Sequence, residues 1–105
     1  MRYLLSLKHP PDAVFCFNDL MALGAMSMLH EVGLDIPQDV AVVGVDDIED
    51  GPYAIPTLTT IAPDKKEISC LAVSLLLDRI KGTRQQPSAC IAVPFHLCVR
   101  KSTVR

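Results

Sequence analysis

The 105-residue chain carries a net charge of −2 at pH 7, with 50% hydrophobic and 21% charged residues. This length allows one small domain or part of a larger one. A mildly acidic chain without a stripe of lysine and arginine lacks the electrostatic footprint of a nucleic-acid-binding surface. Its apolar runs are shorter than the roughly 18 residues of a membrane span and too short for a signal peptide. The composition therefore predicts a cytoplasmic globular protein that does not contact a membrane.

Four cysteines, at positions 16, 70, 90 and 98, occur without a C-x-x-C pair and without a histidine at metal-ligand spacing. Cys16 and Cys98 lie within apolar, strand-like patterns, where a thiol behaves as a small hydrophobic group. We therefore expect free thiols in a reducing compartment and no metal site built on cysteine. We expect no bound cofactor.

Alternating strand and helix patterns predict a parallel α/β arrangement in the first half of the chain. Residues 1–8 are similar to the end of an amphipathic helix that a proline pair stops. An apolar strand at 13–17, expected in the middle of the sheet, leads directly into a helix at 20–32. This helix is expected to end in a Schellman stop at Gly33. A second strand at 40–45 completes a β-α-β unit, whose two strands run parallel.

The same alternation continues in the second half. A loop at 48–56 precedes a short strand at 58–62. Asp64 and Glu67 form a capping pair that opens a helix at 64–81, and the apolar residues of that helix form one stripe. Residues 91–99 alternate apolar and polar side chains, as in an edge strand with one packed face. The fold class is therefore α/β, a mostly parallel sheet with flanking helices.

The helix at 20–32 is apolar over more of its circumference than contact with one core requires. Either a second chain covers part of this helix, or the whole surface belongs to the core of the domain. The sequence alone leaves both possibilities open.

Acidic and amide side chains follow the first two predicted strands: Asn18 and Asp19 after one, Asp46 and Asp47 after the other. Open α/β sheets hold ligands at this carboxyl edge. Asp19 also has the chemistry of a helix N-cap. Carboxylates at such an edge can accept hydrogen bonds from hydroxyl or ring N–H groups, bind a divalent cation, or cap turns. All three roles remain open at this point.

No pattern in the sequence is typical of a catalytic site. The G-x-S-x-G and H-E-x-x-H motifs are absent, and the three histidines have no serine or cysteine partner at a recognisable spacing. We therefore expect a protein without catalytic residues, not an enzyme.

Four ordered segments, at residues 11–26, 33–47, 56–61 and 100–103, closely resemble the effector-binding region of the LacI/GalR family of bacterial transcriptional repressors. Val-Gly-Val-Asp-Asp at 43–47 is one example. The resemblance implies the C-terminal part of a periplasmic-binding-protein-like type I fold. Residues 1–105 would then form a single partial domain, in which 64–90 cross into the other subdomain.

This resemblance also implies a function. Such a module binds a sugar or purine-like effector, forms a homodimer, and controls operator binding by an N-terminal helix-turn-helix that this chain lacks. Asp19 matches a family aspartate that hydrogen-bonds the effector, and Lys65 matches an effector contact of some relatives. The full set of expected ligand-binding residues is Asn18, Asp19, Asp46, Asp47 and Lys65.

The helix beginning at Leu20 resembles a dimer-contact helix of the family, with Leu20, Met21, Leu23, Gly24 and Met28 at the interface. Two alternatives remain. A periplasmic sugar-binding protein shares the fold, although the sequence shows no signal segment. A magnesium-dependent receiver domain would use Asp46 and Asp47 as metal ligands, but only 58 residues follow that pair.

Overall fold

The computed structural model describes residues 1–82 and 90–105, and the chain divides into two compact units, Met1–Ala62 with His96–Arg105, and Pro63–Phe95. In chain order the elements are α1 (Arg2–Leu5), β1 (Ala13–Phe15), α2 (Asp19–Glu31), β2 (Ala41–Val45), a 3-10 helix (Gly51–Tyr53), β3 (Thr59–Pro63), α3 (Lys65–Ile80) and β4 (Phe95–Cys98).

The predicted α/β class with a mostly parallel sheet is confirmed. The four strands form one sheet in the order β1-β2-β3-β4. β1 pairs with β2 in parallel, with Val14 opposite Val42, and β2 pairs with β3 in parallel, with Gly44 opposite Thr60. Because these strands run in one direction, their carboxyl ends lie at a common edge.

The prediction that the first strand lies in the middle of the sheet is wrong. β1 stands at one end of the strand order and spans only three residues. Phe15 is 57% exposed, and Phe17 just beyond the strand is 82% exposed. An uninterrupted apolar run is typical of a strand covered on both faces, whereas here part of that apolar surface faces solvent.

The core of the first unit forms between α2 and the sheet. One face of α2 supplies small and medium side chains that pack on β2 and on the residues before β3. The buried apolar residues are Cys16, Ala22, Ala25, Met26, Leu29, Ile36, Val40, Val42 and Leu58. This core fixes the start of α2 against the carboxyl edge of the sheet.

The two ends of α2 are capped in different ways. At the C-terminus, the amide of Gly33 donates to the His30 carbonyl and that of Leu34 to the Leu29 carbonyl, which is the predicted Schellman stop, with Gly33 at φ +77°. At the N-terminus the prediction of Asp19 as the cap is wrong. Asn18 is the cap, and its side-chain oxygen accepts the Met21 amide at 2.8 Å.

The second unit contains α3. The predicted capping residue Asp64 accepts the Glu67 amide at 2.9 Å, and Gly82 follows the helix at φ +70°. Every residue of α3 is described, and none is buried; Leu76 is 60% and Ile80 is 72% exposed. The apolar stripe predicted from the sequence is therefore present but largely uncovered.

The last strand is shorter than predicted, and the prediction that one of its faces is packed is wrong. β4 covers Phe95–Cys98 only, and Leu97 and Val99 are more than half exposed. The alternation in the sequence marks one apolar face, but the described residues do not bury it. The polar link at 83–88, which falls within the predicted crossover at 64–90, lies outside the described residues.

Among residues 1–82 and 90–105, no helix combines the length and hydropathy needed to cross a membrane.

Candidate functional site

The first unit brings together the polar residues that follow β1 and β2. Asp19, at the start of α2, accepts the amide of Ile48 on its Oδ2 atom at 2.9 Å. This bond joins the start of α2 to the turn that follows β2, so the polar pairs Asn18–Asp19 and Asp46–Asp47 share the carboxyl edge of the sheet. We call the segment Asp46–Ile48 the acidic turn.

Asp19 lies beneath this edge, with no exposed surface. Its Oδ1 atom accepts the Thr60 hydroxyl at 2.6 Å, while Oδ2 accepts the Ile48 amide. Hydrogen bonds to a carboxylate are the stronger kind, and two of them satisfy much of its capacity inside the protein. Direct contact between Asp19 and an effector remains a prediction, and the structure gives this residue an internal structural role.

Gly44 provides the space for the Asp19 carboxylate. A Cβ atom at position 44 would overlap that carboxylate and would lie 3.2 Å from the Asp19 Cα atom. Any side chain at position 44 would therefore displace the buried Asp19 carboxylate. The close approach of α2 requires glycine here. The backbone conformation does not, since the φ of Gly44 is outside the left-handed region.

The acidic turn has an uncommon backbone. Asp46 and Asp47 have φ values of 109° and 49°, in a region that non-glycine residues seldom occupy. Asp46 is exposed and Asp47 is half-buried. The amide of Asp46 donates to the Ile61 carbonyl at 2.9 Å, and that of Asp47 to the Thr60 hydroxyl at 3.3 Å. Such outlying backbone conformations cluster at functional sites.

Arg100 holds the side chain of Asp47. Its Nη2 atom lies 2.7 Å from the Asp47 carboxylate, and its Nη1 atom donates to the Leu58 carbonyl at 2.8 Å. The two side chains are 21% and 32% exposed, so solvent screens this ion pair only in part. Arg100 therefore anchors the acidic turn to the strand beside it.

The segment that carries Arg100 is itself fixed by buried hydroxyl groups. Ser102 has no exposed surface; its hydroxyl donates to the Val42 carbonyl at 2.6 Å and accepts the Thr59 amide at 2.8 Å. The Thr59 hydroxyl accepts the Arg100 amide at 2.8 Å. These bonds connect the last residues of the chain to β2 and β3.

The sequence did not identify Thr60, Gly44 or Arg100 as members of this network. Arg100 belongs to a segment that resembles the family, but no motif assigns it a partner. Thr60 could have been identified from its place in the predicted strand. A hydroxyl that is buried in a strand requires hydrogen-bonding partners.

The other predicted ligand residues lie in different environments. Asn18 is half-buried and uses its side-chain oxygen to cap α2. Lys65 is exposed at the first position of α3, in the second unit. Their contacts with an effector remain predictions.

The predicted dimer residues follow one side of α2. Leu20, Met21 and Gly24 are exposed, whereas Leu23 and Met28 are half-buried. A Cβ added at Gly24 would meet no atom within 4 Å. This side of the helix is therefore open to contact.

The described part of the chain contains free cysteines and no cluster of possible metal ligands. All four thiols are free, and burial raises the pKa of Cys16, an effect that the charge of the N-terminal amine opposes. Within residues 1–82 and 90–105, no three histidine, cysteine, aspartate or glutamate side chains are grouped so that they could hold a metal ion.

Residues 2–103 match the family of periplasmic binding protein-like domains. The chain is 43% identical over 102 residues to the HTH-type transcriptional repressor PurR of Serratia proteamaculans strain 568, an alignment that covers 97% of this chain and 30% of that repressor. The chain thus spans less than a third of the length of this relative.

Similar solved structures include those of two transcriptional regulators. A complex of the transcriptional regulator CelR with cellobiose has a TM-score of 0.81 and 38% identity, over 87% of this chain and 28% of that one. A Lac repressor dimer bound to operator and the anti-inducer ONPF has a TM-score of 0.78 and 39% identity, over 90% and 32% of the two chains. The chain therefore belongs to the periplasmic binding protein-like domain family and is homologous to the LacI-type transcriptional repressors.

Proposed function

We propose that this chain is the effector-binding and dimerisation module of a LacI/GalR-type transcriptional repressor in the cytoplasm. It binds a sugar or purine-like molecule, performs no chemistry of its own, and transmits binding to a DNA-binding segment outside these 105 residues. The observation that carries the proposal is the similarity to PurR over 97% of the chain.

The acidic turn supports small-molecule binding. Asp46 is exposed at the carboxyl end of β2, next to the anchored Asp47. An exposed carboxylate accepts hydrogen bonds from the paired hydroxyls of a sugar or from the ring N–H groups of a purine. Cellobiose is the ligand in the complex of CelR, whose structure is similar to this chain. We therefore assign effector recognition to the edge that contains Asn18, Asp46 and Asp47.

The exposed side of α2 supports dimerisation. Phe17 is 82%, Leu20 is 68% and Met21 is 53% exposed, although a soluble protein seldom leaves several adjacent large apolar residues in water. The Lac repressor whose structure is similar to this chain is a dimer. We infer that a second copy covers Phe17 and the start of α2, in a symmetric contact.

The two alternatives have less support. A periplasmic sugar-binding protein has the same fold, but the relative with 43% identity is a transcriptional repressor. A receiver domain requires Asp47 as a magnesium ligand, whereas the Arg100 guanidinium lies 2.7 Å from that carboxylate.

A titration followed by nuclear magnetic resonance tests the proposal. The ¹⁵N-labelled chain is titrated separately with cellobiose and hypoxanthine up to millimolar concentration, because part of a repressor is expected to bind weakly. We expect one ligand to shift the amides of Asp46, Asp47 and Ile48 but not that of Val40, at the amino end of β2. If neither ligand moved the acidic turn, the proposed ligand classes would be contradicted.

A further inference from the structure

We propose that Asp19 and Thr60 are positioning residues, which hold the acidic turn in its left-handed conformation and thereby set the place of the exposed Asp46 carboxylate. The proposal rests on the proposed function, since it assigns these two residues to the same effector edge. It gives Asp19 a role that differs from the direct effector contact implied by the family resemblance.

The backbone of the acidic turn needs external support. Asp46 and Asp47 are consecutive non-glycine residues with positive φ, and such conformations persist only where surrounding contacts impose them. Three successive amides of this turn bind groups outside it. They donate to the Ile61 carbonyl, the Thr60 hydroxyl and the Asp19 carboxylate, at 2.9, 3.3 and 2.9 Å respectively.

Thr60 and Asp19 act as one unit in this arrangement. The Thr60 hydroxyl donates a hydrogen bond to Asp19 at 2.6 Å, which leaves the oxygen of that hydroxyl to accept one from the Asp47 amide. Neither residue has exposed surface. Asp19 therefore fixes the orientation of the hydroxyl that receives one amide, and binds the next amide, of Ile48, itself.

The same geometry separates the residues that hold the acidic turn from the residue that can recognise a ligand. Asp19 is buried with both oxygens engaged, and Asp47 is paired with Arg100, whereas Asp46 is exposed. A ligand at the edge of the sheet thus meets Asp46 first. Loss of the Thr60 hydroxyl would remove the hydrogen bond that the Asp47 amide donates to it and would allow Asp46 a wider range of positions.

The test compares Thr60→Val with Thr60→Ser by amide hydrogen exchange. Valine keeps the shape of threonine and removes the hydroxyl, whereas serine keeps the hydroxyl. We expect the Asp47 amide to exchange about tenfold faster in Thr60→Val and at nearly the wild-type rate in Thr60→Ser. The Val42 amide, which donates to the Ser102 carbonyl at 3.0 Å, should stay protected in both variants.

Unchanged exchange at Asp47 in Thr60→Val, or equal acceleration at Asp47 and Val42, would overturn the proposal. The second pattern would mean general loss of stability. If Thr60→Val does not fold, Asp19→Asn provides the same test, because it offers one acceptor oxygen to two donors. Faster exchange at Asp47 or Ile48 with Val42 protected would then support positioning, and unchanged exchange would refute it.

Ligand titrations complete the test. With whichever of cellobiose or hypoxanthine shifts the wild-type turn, we expect about tenfold weaker binding by Thr60→Val and near wild-type binding by Thr60→Ser. Wild-type affinity in a folded Thr60→Val variant would refute the proposed link to recognition. If neither probe binds the wild-type chain, the ligand classes of the proposed function fail, and the exchange pattern still decides whether Asp19 and Thr60 hold the turn.

Discussion

Replacement of Gly44 by alanine should destabilise the first unit strongly, although alanine is no worse than glycine within a strand. The added methyl would overlap the Asp19 carboxylate and would lie 3.2 Å from the Asp19 Cα atom. The carboxylate has little room to move, because its two oxygens bind Thr60 and Ile48. We therefore expect α2 to shift away from β2, or Asp19 to lose a partner.

The expected cost combines two effects. Insertion of a methyl group into a packed interior costs about 1 to 3 kcal/mol. Loss of one hydrogen bond to the buried carboxylate adds about 1.5 to 3 kcal/mol. Together they lower the free energy of unfolding by about 2.5 to 6 kcal/mol, a large part of the total stability of a domain of this size.

Urea denaturation followed by far-ultraviolet circular dichroism measures this change, with Gly24→Ala as the matched control. Position 24 lies within α2, and a Cβ there meets no atom within 4 Å. Alanine should raise helix stability at that position by up to about 1 kcal/mol. Both variants are measured at low concentration, so that self-association contributes little. A Gly44→Ala variant within about 1 kcal/mol of wild type would refute the packing argument.

Three further predictions concern α2 and the thiols. Leu20→Glu should shift the proposed dimer towards monomer in light scattering without loss of helix, since glutamate suits a first turn, whereas Gln38→Glu should leave it unchanged. A dimer that survives Leu20→Glu would place the interface elsewhere. Asn18→Ala should lower the free energy of unfolding by about 1 kcal/mol, and no change in urea midpoint would contradict its capping role. Because burial raises the pKa of Cys16, we expect iodoacetamide at pH 8 to modify it about tenfold more slowly than the exposed Cys70, as followed by mass spectrometry; equal rates would contradict its burial.

The raised pKa of Cys16 also has a consequence for stability. The buried thiol stays protonated at pH values where the thiol of the unfolded chain, with its ordinary pKa of 9.0, has ionised. Its contribution to folding is therefore complete below pH 9.0 and declines as the pH rises above that value.

Sequence patterns were sufficient for the features that depend on local chemistry. The stop at Gly33 and the cap at Asp64 follow from side-chain and backbone preferences within a few residues, and the structure contains both. The common edge of Asn18 and Asp46 followed from the alternation of strand and helix, because parallel strands end on the same side.

Features that depend on distant contacts could not be predicted in the same way. Asn18 and Asp19 are both good caps, and the choice between them depends on Thr60 and Ile48, which draw the Asp19 side chain beneath the sheet. The need for Gly44 likewise appears only when α2 packs on β2.

Apolar patterns also do not reveal what covers them. The stripe on α3 and the alternation near β4 indicate surfaces that favour burial, but Leu76 and Leu97 remain more than half exposed. The chain spans 30% of the length of PurR from Serratia proteamaculans. A surface that packs against residues outside these 105 looks the same in sequence as one that packs within them.

A matched pair of variants at the acidic turn gives the most direct test of effector recognition. Asp46→Asn removes the carboxylate charge and keeps a residue that tolerates positive φ, while Glu49→Gln removes an exposed charge nearby. With the ligand that shifts the wild-type turn, we expect Asp46→Asn to raise the Kd by about tenfold or more and Glu49→Gln to leave it nearly unchanged. A Kd for Asp46→Asn equal to that of the wild-type chain would contradict recognition through this edge of the sheet.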